Sequence, residues 1–579
     1  MTVNAEKSNG GLNWFVTGLF IVAQLAGGGI VALPTAVIQS GLWTGIFLNI
    51  LLTIMACSTS IMLGKCWLIL QRRWPAIYKD NHCREPYPEI CMRALGPRFK
   101  NLASICIQLN QFGICVVFLL LSSKNIQHFL KAFFDVNFSF CLLILILALL
   151  LFPFTLLKSP EDFWWAAVLS AGTTTIAVIL ICFGTLMDSS VCAKISVGMP
   201  PNNKFSNYFL ALGTFLFSYG GHPGFPTIQH DMKKPKEFTK ASIIAFLILS
   251  MLYLPVCILG YIVYGNSLRE SIMNSIQNVW IQHIFGGTRG LLLNLMNREE
   301  KHKLFIVRLL AKNSWKGCLL TASFLITGHA IFSIIIVINP INQIAEKKFF
   351  VPQEFGPFRI IVRGIVLFLV VLVAESIPTF GPLLDLSGGS TQTSTALIYP
   401  CICYLFLNAS EQKYKLKETN KNIKIKFNKR FQDSRLGVSV RKRTEGQRIF
   451  RAEGPRVFFR RFSMNRQTRE NKVTFYSEYN EYATLKDVLT ISDKKILFLS
   501  IFIIVFGILG GGAATFTAIR ELTYTHFVPP CYISVFMDKQ KNQELFKFGS
   551  INCCGPNQNI SIFGPSKGIC SETNLNFYN

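Results

Sequence analysis

Charged side chains are scarce in this sequence, and acidic ones are the scarcest. Asp, Glu, Lys and Arg make up 15% of the 579 residues, whereas hydrophobic residues make up 51% and the mean hydropathy is +0.39. A soluble domain carries about 25% charged residues. A soluble fold could not hide this much apolar surface. The scarcity excludes a soluble globular protein and predicts that most of the chain faces lipid.

The sequence also lacks the signatures of an enzyme or a metalloprotein. The run Gly27–Gly29 lacks the strand–helix context of a phosphate-binding loop. The cysteines have no zinc-binding spacing in any predicted intracellular loop. We therefore expect no catalytic residue, no metal site and no organic cofactor. We also expect no cleavable signal peptide, because the first apolar run, 14–38, is too long and has no basic leader.

Basic residues outnumber acidic ones, with 58 Lys and Arg against 31 Asp and Glu and a net charge of +27. Such an excess is typical of nucleic-acid-binding proteins. Here, however, the basic residues cluster in loops between apolar runs, where they orient a chain in a membrane. We therefore expect a lipid bilayer and no nucleic acid as the partner.

Eleven apolar runs are long enough to span a bilayer, which takes about 20 residues. They are 14–38, 42–70, 101–123, 137–157, 163–187, 207–228, 240–264, 317–340, 358–376, 381–407 and 496–519. With a cytoplasmic N-terminus, the inside loops 71–100 and 408–495 hold 7 and 23 basic residues, and the outside loops 124–138 and 188–206 hold 2 each. This asymmetry supports the orientation, and an odd number of spans places the C-terminus outside.

Two segments interrupt this pattern. Residues 281–316 should lie outside, yet they hold 7 basic residues. We interpret them as an atypical insertion, either genuine or an artefact of the gene model. Residues 408–495 hold 23 basic and 10 acidic residues, and are either an ordinary inside loop or a segment that binds anionic lipid or a protein partner. The predicted order is a cytoplasmic N-terminus (1–13), a ten-helix core (14–407), the basic loop (408–495), an eleventh helix (496–519) and an extracellular or lumenal tail (520–579).

Two predicted spans contain sequences that disfavour a continuous helix. Gln24–Pro34 has three consecutive glycines before a proline, and Phe217–Pro226 reads FSYGGHPGFP. Unwound backbone is tolerated in a membrane only where protein or a water-filled cavity satisfies it. Interrupted helices leading two five-span halves indicate a transporter site between inverted repeats. Glycines that merely allow close helix packing are the alternative.

Such breaks suit a zwitterion. Half-helix N-termini offer N–H groups to a carboxylate, and unwound carbonyls with half-helix C-termini suit an ammonium or a coupling cation.

In order and spacing, several motifs resemble the amino-acid/auxin permease family, especially its vesicular and proton-coupled amino-acid transporter branches. The motifs are Gly27–Pro34, Tyr87–Pro97, Ser218–Asp231, Met232–Pro235, Val337–Gln343 and Ala374–Ser390. The resemblance implies an all-α integral membrane fold of two inverted five-helix repeats plus an eleventh helix. It also implies secondary active transport of small amino acids by alternating access, coupled to protons or sodium. The implied substrate site comprises Ala26, Gly27, Gly28, Gly29, Ser218, Tyr219, Gly220 and Gly221.

Polar residues in the spans are candidates for ion coupling. Glu375 and Asp385 flank the turn between spans nine and ten. Acids at membrane depth are functional by default, but near an interface they can be solvated or cap backbone groups. Thr321 on span eight is a candidate sodium ligand, although Ser and Thr more commonly bond their own helix. His222 and His329 have side chains that titrate near neutral pH, and we expect His329 to be hydrogen-bonded in place.

A second function fits the same fold, namely a membrane sensor that binds amino acids without transporting them. The basic loop 408–495 is the only feature that favours it, as a docking segment for a signalling partner. Either function requires a multi-pass membrane protein, and the plasma membrane and an endolysosomal or vesicular membrane are both compatible with the sequence.

The cysteines fall into two groups. Those inside apolar runs, such as Cys106 and Cys141, are expected to be small buried hydrophobic residues. Cys531, Cys553, Cys554 and Cys570 lie instead in the polar tail, outside the cytoplasm. An even number of cysteines on the oxidising side predicts two disulfides, and three pairings are possible. A Cys553–Cys554 bridge would be strained, so each is expected to pair with Cys531 or Cys570.

The tail yields a test of the predicted topology. Asn559-Ile560-Ser561 is a glycosylation sequon, so we expect a glycan at Asn559. Glycosidase treatment should shift the gel mobility of the protein, and Asn559→Gln should remove most of that shift. Thiol reagents should miss the four tail cysteines until a reductant is added. Freely reactive thiols without a glycan would place the C-terminus in the cytoplasm.

Overall fold

The computed structural model describes residues 11–78, 83, 85–134, 138–156, 164–192, 205–265, 268, 271–276, 324–352, 356–377, 380–419 and 482–524. Thr321, Asn559, the tail cysteines and the insertion 281–316 lie outside the described residues, as does most of the basic loop. The predictions made for them therefore stay predictions.

Helices dominate the described part of the chain. In order, they are α1 (Trp14–Leu25), α2 (Leu33–Ser40), α3 (Leu42–Arg73), α4 (Pro75–Tyr78), α5 (Pro86–Leu95), α6 (Pro97–Phe134), α7 (Phe140–Thr155), α8 (Trp164–Cys192), α9 (Phe205–Ser218), α10 (Phe225–His230), α11 (Phe238–Tyr264), α12 (Phe324–Lys348), α13 (Pro357–Ser376), α14 (Phe380–Ser387), α15 (Leu485–Ile491) and α16 (Lys494–Tyr524). After α14 the chain passes through two π-helical stretches, Gly388–Gln392 and Ser394–Ile398, and continues as α-helix to residue 419.

Among the described helices, seven are long and apolar enough to cross a membrane on their own, namely α3, α6, α8, α11, α12, α13 and α16. The other four apolar runs of the sequence form shorter or interrupted helices, which are α1 with α2, α7, α9 with α10, and α14 with its π-helical continuation. The chain is a multi-pass membrane protein, as the sequence predicts. The number of eleven spans stays a prediction.

The chain divides into two compact units. The first comprises the residues up to Gly64, Ala103–Pro400, and those from Ile503 onward. Within it, α1 packs on α8 and α11, α2 packs on α9 and α11, and α9 packs on α14. The interrupted pairs α1/α2 and α9/α10 are thus enclosed by other helices, and Ala26 between α1 and α2 is fully buried.

The second unit comprises Lys65–Leu102 and Cys401–Phe502. Within this unit the short helix α5 makes polar contacts with its neighbours. The Glu89 carboxylate accepts hydrogen bonds from Tyr78 (2.7 Å) and Lys100 (2.5 Å). Burial alone would raise the pKa of Glu89, but these two donors hold it below its usual value. The carboxylate therefore stays ionised near neutral pH and ties α5 to the start of α6.

Helix α15, in the same unit, begins with a capping box. The Thr484 hydroxyl accepts from the Asp487 amide, and the Asp487 carboxylate accepts from the Thr484 amide. Hydrogen bonds from Thr484 and Lys413 lower the pKa of Asp487 to about 2. The C-terminal end of the predicted basic loop therefore contains a capped helix.

Most described cysteines agree with the sequence analysis, since Cys106 and nine others are free thiols that are buried or half-buried. Cys141 is an exception, because it is disulfide-bonded and not merely a small hydrophobic residue. It lies at the start of α7, which the charge bias places near the outer surface.

Candidate functional site

The first break separates α1 from α2. Helix α1 ends at Leu25, seven residues in turns follow, and α2 begins at Leu33 with Pro34 at its second position. Neither the Gly28 amide nor the Gly29 amide has a hydrogen-bond acceptor among the residues that the structure describes. Two buried N–H donors at the N-terminal side of α2 therefore have no acceptor within the described residues, as expected for an interrupted span.

The second break separates α9 from α10. Helix α9 ends at Ser218, and a short 3₁₀ turn, His222–Gly224, leads into α10 at Phe225. The Gly221 amide donates to no backbone carbonyl in the described part of the chain. Pro223 lacks the N–H group that would bond the Tyr219 carbonyl and continue the α9 hydrogen-bond ladder, whereas Pro226 lies in the first turn of α10, where a proline is tolerated.

The two breaks face each other at glycines. A Cβ atom on Gly29 would lie 2.9 Å from the Cα of Ser218, and one on Gly221 would lie 2.9 Å from Leu25 Cδ2. Real Cβ atoms do not approach backbone atoms so closely, so position 29 requires glycine, whereas a side chain at position 221 would have to displace the Leu25 side chain. The structure therefore brings together the two groups of residues that the sequence names, Ala26–Gly29 and Ser218–Gly221.

Tyr253 of α11 joins the two breaks, and sequence reasoning missed it. Its hydroxyl lies 3.0 Å from the carbonyl oxygen of Leu25 and 2.9 Å from that of Ser218. Those two residues are the last of α1 and α9, so two helix C-termini, each with its partial negative charge, converge on one hydroxyl. The sequence shows only a tyrosine inside an apolar span, where Tyr261 and Tyr264 also lie, and nothing in it singles out Tyr253 or reveals its partners.

Tyr219 and His222 anchor the second break to α3. The Tyr219 hydroxyl is 2.9 Å from Asn49 Oδ1 and 2.7 Å from Thr53 Oγ1. His222 Nε2 is 3.0 Å from Thr59 Oγ1 and 3.1 Å from the Ala56 carbonyl. The Tyr219 hydroxyl is thus directed into α3, and what this residue offers a ligand at the break is its backbone.

Two further side chains, also missed from the sequence, close over the breaks. The Phe118 ring of α6 lies against Gly27 and Gly28, and a Cβ on Gly28 would be 2.7 Å from its Cε1 atom. The Gln392 amide, in the π-helical stretch after α14, fills the space beside Gly220. Asn110 of α6 donates to Gln392 Oε1 at 3.1 Å. A π-helical stretch often marks a functional site.

The acidic candidates are both buried in the described part of the chain. Glu375 in α13 and Asp385 in α14 are each 4% exposed. Asp385 accepts a hydrogen bond from Thr214, one turn before the end of α9. Asp385 is thus tied to the helix that leads to the second break, and the coupling role of Glu375 stays a prediction.

The family model for transmembrane amino acid transporter proteins matches residues 10–292 and 306–432. These two ranges contain both breaks and more than half of the chain. The chain belongs to the transmembrane amino acid transporter family. The resemblance inferred from the motifs is thereby confirmed. The gap between the matched ranges falls within the segment interpreted as an insertion.

This transporter is also similar to individual relatives. It is 22% identical to the Arabidopsis thaliana amino acid transporter AVT1I, over 68% of this chain and 86% of the relative. It is 24% identical to AVT1J of the same organism, over 68% and 82%. The Arabidopsis lysine histidine transporter-like 3 is 22% identical over 68% and 81%.

Solved structures with similarity to this transporter include a manganese transporter of Eremococcus coleocola. It is 13% identical and covers 88% of this chain and 94% of its own, with a TM-score of 0.42. MHP1, a nucleobase-cation-symport-1 family transporter, is 13% identical over 67% and 77%, with a TM-score of 0.40. At TM-scores this low, the likenesses carry no argument about fold or cargo.

Substituting Gly28 tests the first break. We expect Gly28→Leu to abolish transport while the protein still reaches the membrane, because its side chain would meet the Phe118 ring and cover the free amides. Uptake is compared at equal membrane expression. Gly172→Leu on α8 is the matched control, since a Cβ there has no other atom within 4 Å. Uptake near wild type in the Gly28 variant would contradict the assignment.

Substituting Tyr253 tests the link between the breaks. Tyr253→Phe removes the single hydroxyl proton that lies between two buried carbonyls. The Leu25 carbonyl keeps the Gly27 amide as a donor at 2.8 Å, but the Ser218 carbonyl loses its donor, and an unsatisfied buried acceptor costs about 1–3 kcal/mol. We expect a lower melting temperature in detergent and slower transport. Tyr261→Phe, two turns along the same helix, is the control. Equal behaviour of the two variants would show that the hydroxyl does not hold the breaks together.

Proposed function

We propose that this protein is a secondary transporter that moves small zwitterionic amino acids across its membrane by alternating access, coupled to protons or sodium. The observation that carries the proposal is the pair of facing helix breaks. They present unpaired amides on one side, at Gly28 and Gly29, and converging helix C-termini on the other, at Leu25 and Ser218.

The polarity of these groups matches the backbone of a free amino acid. Amide N–H groups at a helix N-terminus bind a carboxylate, and carbonyls at a helix C-terminus favour an ammonium. Both kinds of group are main-chain atoms, so they recognise what all amino acids share. Recognition of the shared α-carboxylate and α-ammonium therefore falls to the breaks, and selection among amino acids falls to the side chains around them.

The surrounding side chains support a small substrate. Phe118, 6% exposed, and Leu121, 2% exposed, both lie against Gly28. Gln392 fills the space beside Gly220 at the other break. A bulky substrate side chain would have to displace an aromatic ring or an amide that is hydrogen-bonded to Asn110. A small one fits with less rearrangement.

The order of the helices supports alternating access. An interrupted pair leads each proposed half, α1/α2 before α3 to α8, and α9/α10 before α11 to α14. In transporters of two inverted repeats, one repeat rocks against the other around a site at the breaks. We propose this arrangement here, with α16 as an added eleventh span.

A flux assay tests the proposal. The purified protein is placed in liposomes, and uptake of radiolabelled alanine, glycine, glutamine, lysine and glutamate is measured with imposed pH or sodium gradients. We expect uptake of at least one small neutral amino acid. Unlabelled amino acid inside the liposomes should accelerate this uptake by exchange. Liposomes with the Gly28→Leu variant serve as the control. Binding of an amino acid without flux would favour the sensor instead.

A further inference from the structure

A buried histidine faces the first break. His329 of α12 is 2% exposed, and a Cβ on Gly27 would lie 2.9 Å from its Nε2 atom. The ring contacts Ser170 and Thr174 of α8, packs edge-on against Phe118 of α6 at 5.9 Å, and has Ser333 one turn along its own helix. It is hydrogen-bonded in place, as the sequence analysis expects.

The two ring nitrogens have different surroundings. Nδ1 lies 2.5 Å from the Ser170 hydroxyl, 2.8 Å from the Thr174 hydroxyl and 3.3 Å from the Ser170 carbonyl, whereas Nε2 has the Ser333 hydroxyl at 3.3 Å and faces Gly27. The Ser170 and Ser333 hydroxyls can each donate or accept, so these contacts fit a neutral ring with its hydrogen on either nitrogen. When the hydrogen is on Nδ1, donated to Thr174 or to the Ser170 carbonyl, the Nε2 lone pair points at the break.

Within the part of the chain that the structure describes, no negative charge contacts the ring. From α8 it meets Ser170 and Thr174, from α6 Phe118, from the break Gly27, and from its own helix Ser333. No acidic or basic side chain of the described residues hydrogen-bonds or forms an ion pair with His329. A buried imidazolium without a counterion is unfavourable by several kcal/mol, so an empty site disfavours protonation of the ring.

We propose that His329 Nε2 is the site that binds the transported proton, and that the substrate carboxylate is its counterion. The inference rests on the proposed function, which places that carboxylate at the Gly28 and Gly29 amides, directly beside Gly27. With the carboxylate bound, the charged ring gains an opposite charge in a low-dielectric site. Proton and amino acid then favour each other's binding by the same factor, as linkage requires.

The proton cycle involves no other chemistry. A proton from the solution on the open side adds to the Nε2 lone pair, and the amino acid binds beside it. After the site opens to the opposite side, loss of either ligand weakens the hold on the other, and both leave. Protonated His329 thus couples the binding of one proton to the binding of one amino acid, which is the requirement for proton symport.

His329→Gln tests the inference, because glutamine keeps a hydrogen-bonding side chain of similar reach but takes up no proton. Liposomes are loaded at neutral pH and diluted into acidic buffer with radiolabelled alanine. One proton per substrate supports up to about tenfold accumulation per pH unit. We expect wild type to accumulate alanine and the variant to show no pH-driven accumulation. Alanine–alanine exchange by wild type should speed up when both sides are acidic, whereas any exchange left in the variant should not respond to pH. Gly172→Leu, the control on α8, should retain the pH drive.

A second measurement does not depend on the variant folding well. Alanine is added to purified wild-type protein in weakly buffered detergent solution containing a pH dye. We expect about one proton to be taken up per alanine bound. Exchange by wild type with no proton uptake, or pH-driven accumulation by His329→Gln, would overturn the inference and leave the proposed function standing. Absence of exchange for every amino acid tested would instead overturn the proposed function.

Discussion

The satisfaction of unwound backbone inside a membrane is the constraint on which the rest of this structure depends. Helices solve it within themselves, but α1 and α9 both stop midway, so their last carbonyls and the amides that follow need partners elsewhere. Tyr253 can donate its single hydroxyl proton to only one of the Leu25 and Ser218 carbonyls at a time, so acceptor capacity remains there for a cation. The Gly28 and Gly29 amides have no such partner in the described chain. The site is thus defined by which backbone groups the protein satisfies and which it leaves for a ligand.

Close approach of the two breaks is the second condition, and it explains why the site is so rich in glycine. At Gly29 any side chain would collide with the backbone of Ser218, and at Gly221 it would press on the Leu25 side chain. Side chains that belong to other helices fill the remaining space, with Phe118 over the first break and Gln392 beside the second. Selectivity is thereby separated from the backbone groups, and it can change without disturbing the fold.

The sequence predicted the features that local chemistry determines. Three glycines before Pro34, and the Gly-Gly-His-Pro run after Tyr219, predicted both breaks, and scarce charge with basic loops predicted the membrane. Contacts between residues far apart in the chain could not be predicted from the sequence. Tyr253 reads as one more apolar residue of its span, and Asp385 looked like an interface residue because its contact with Thr214 joins positions far apart in the chain. Cys141 has no local signal that separates it from the free thiols.

The isolated β-bridge between Leu12 and Met232 has a consequence for kinetics. The Leu12 amide donates to the Asp231 carbonyl, and the Lys233 amide donates to the Leu12 carbonyl, each at 3.0 Å. These bonds tie the segment before α1 to the segment after α10, on the side that the charge bias assigns to the cytoplasm. The two ends cannot separate until both bonds open. The rate at which the amides of Leu12 and Lys233 exchange with deuterium in the solvent therefore reports how often this side of the molecule opens.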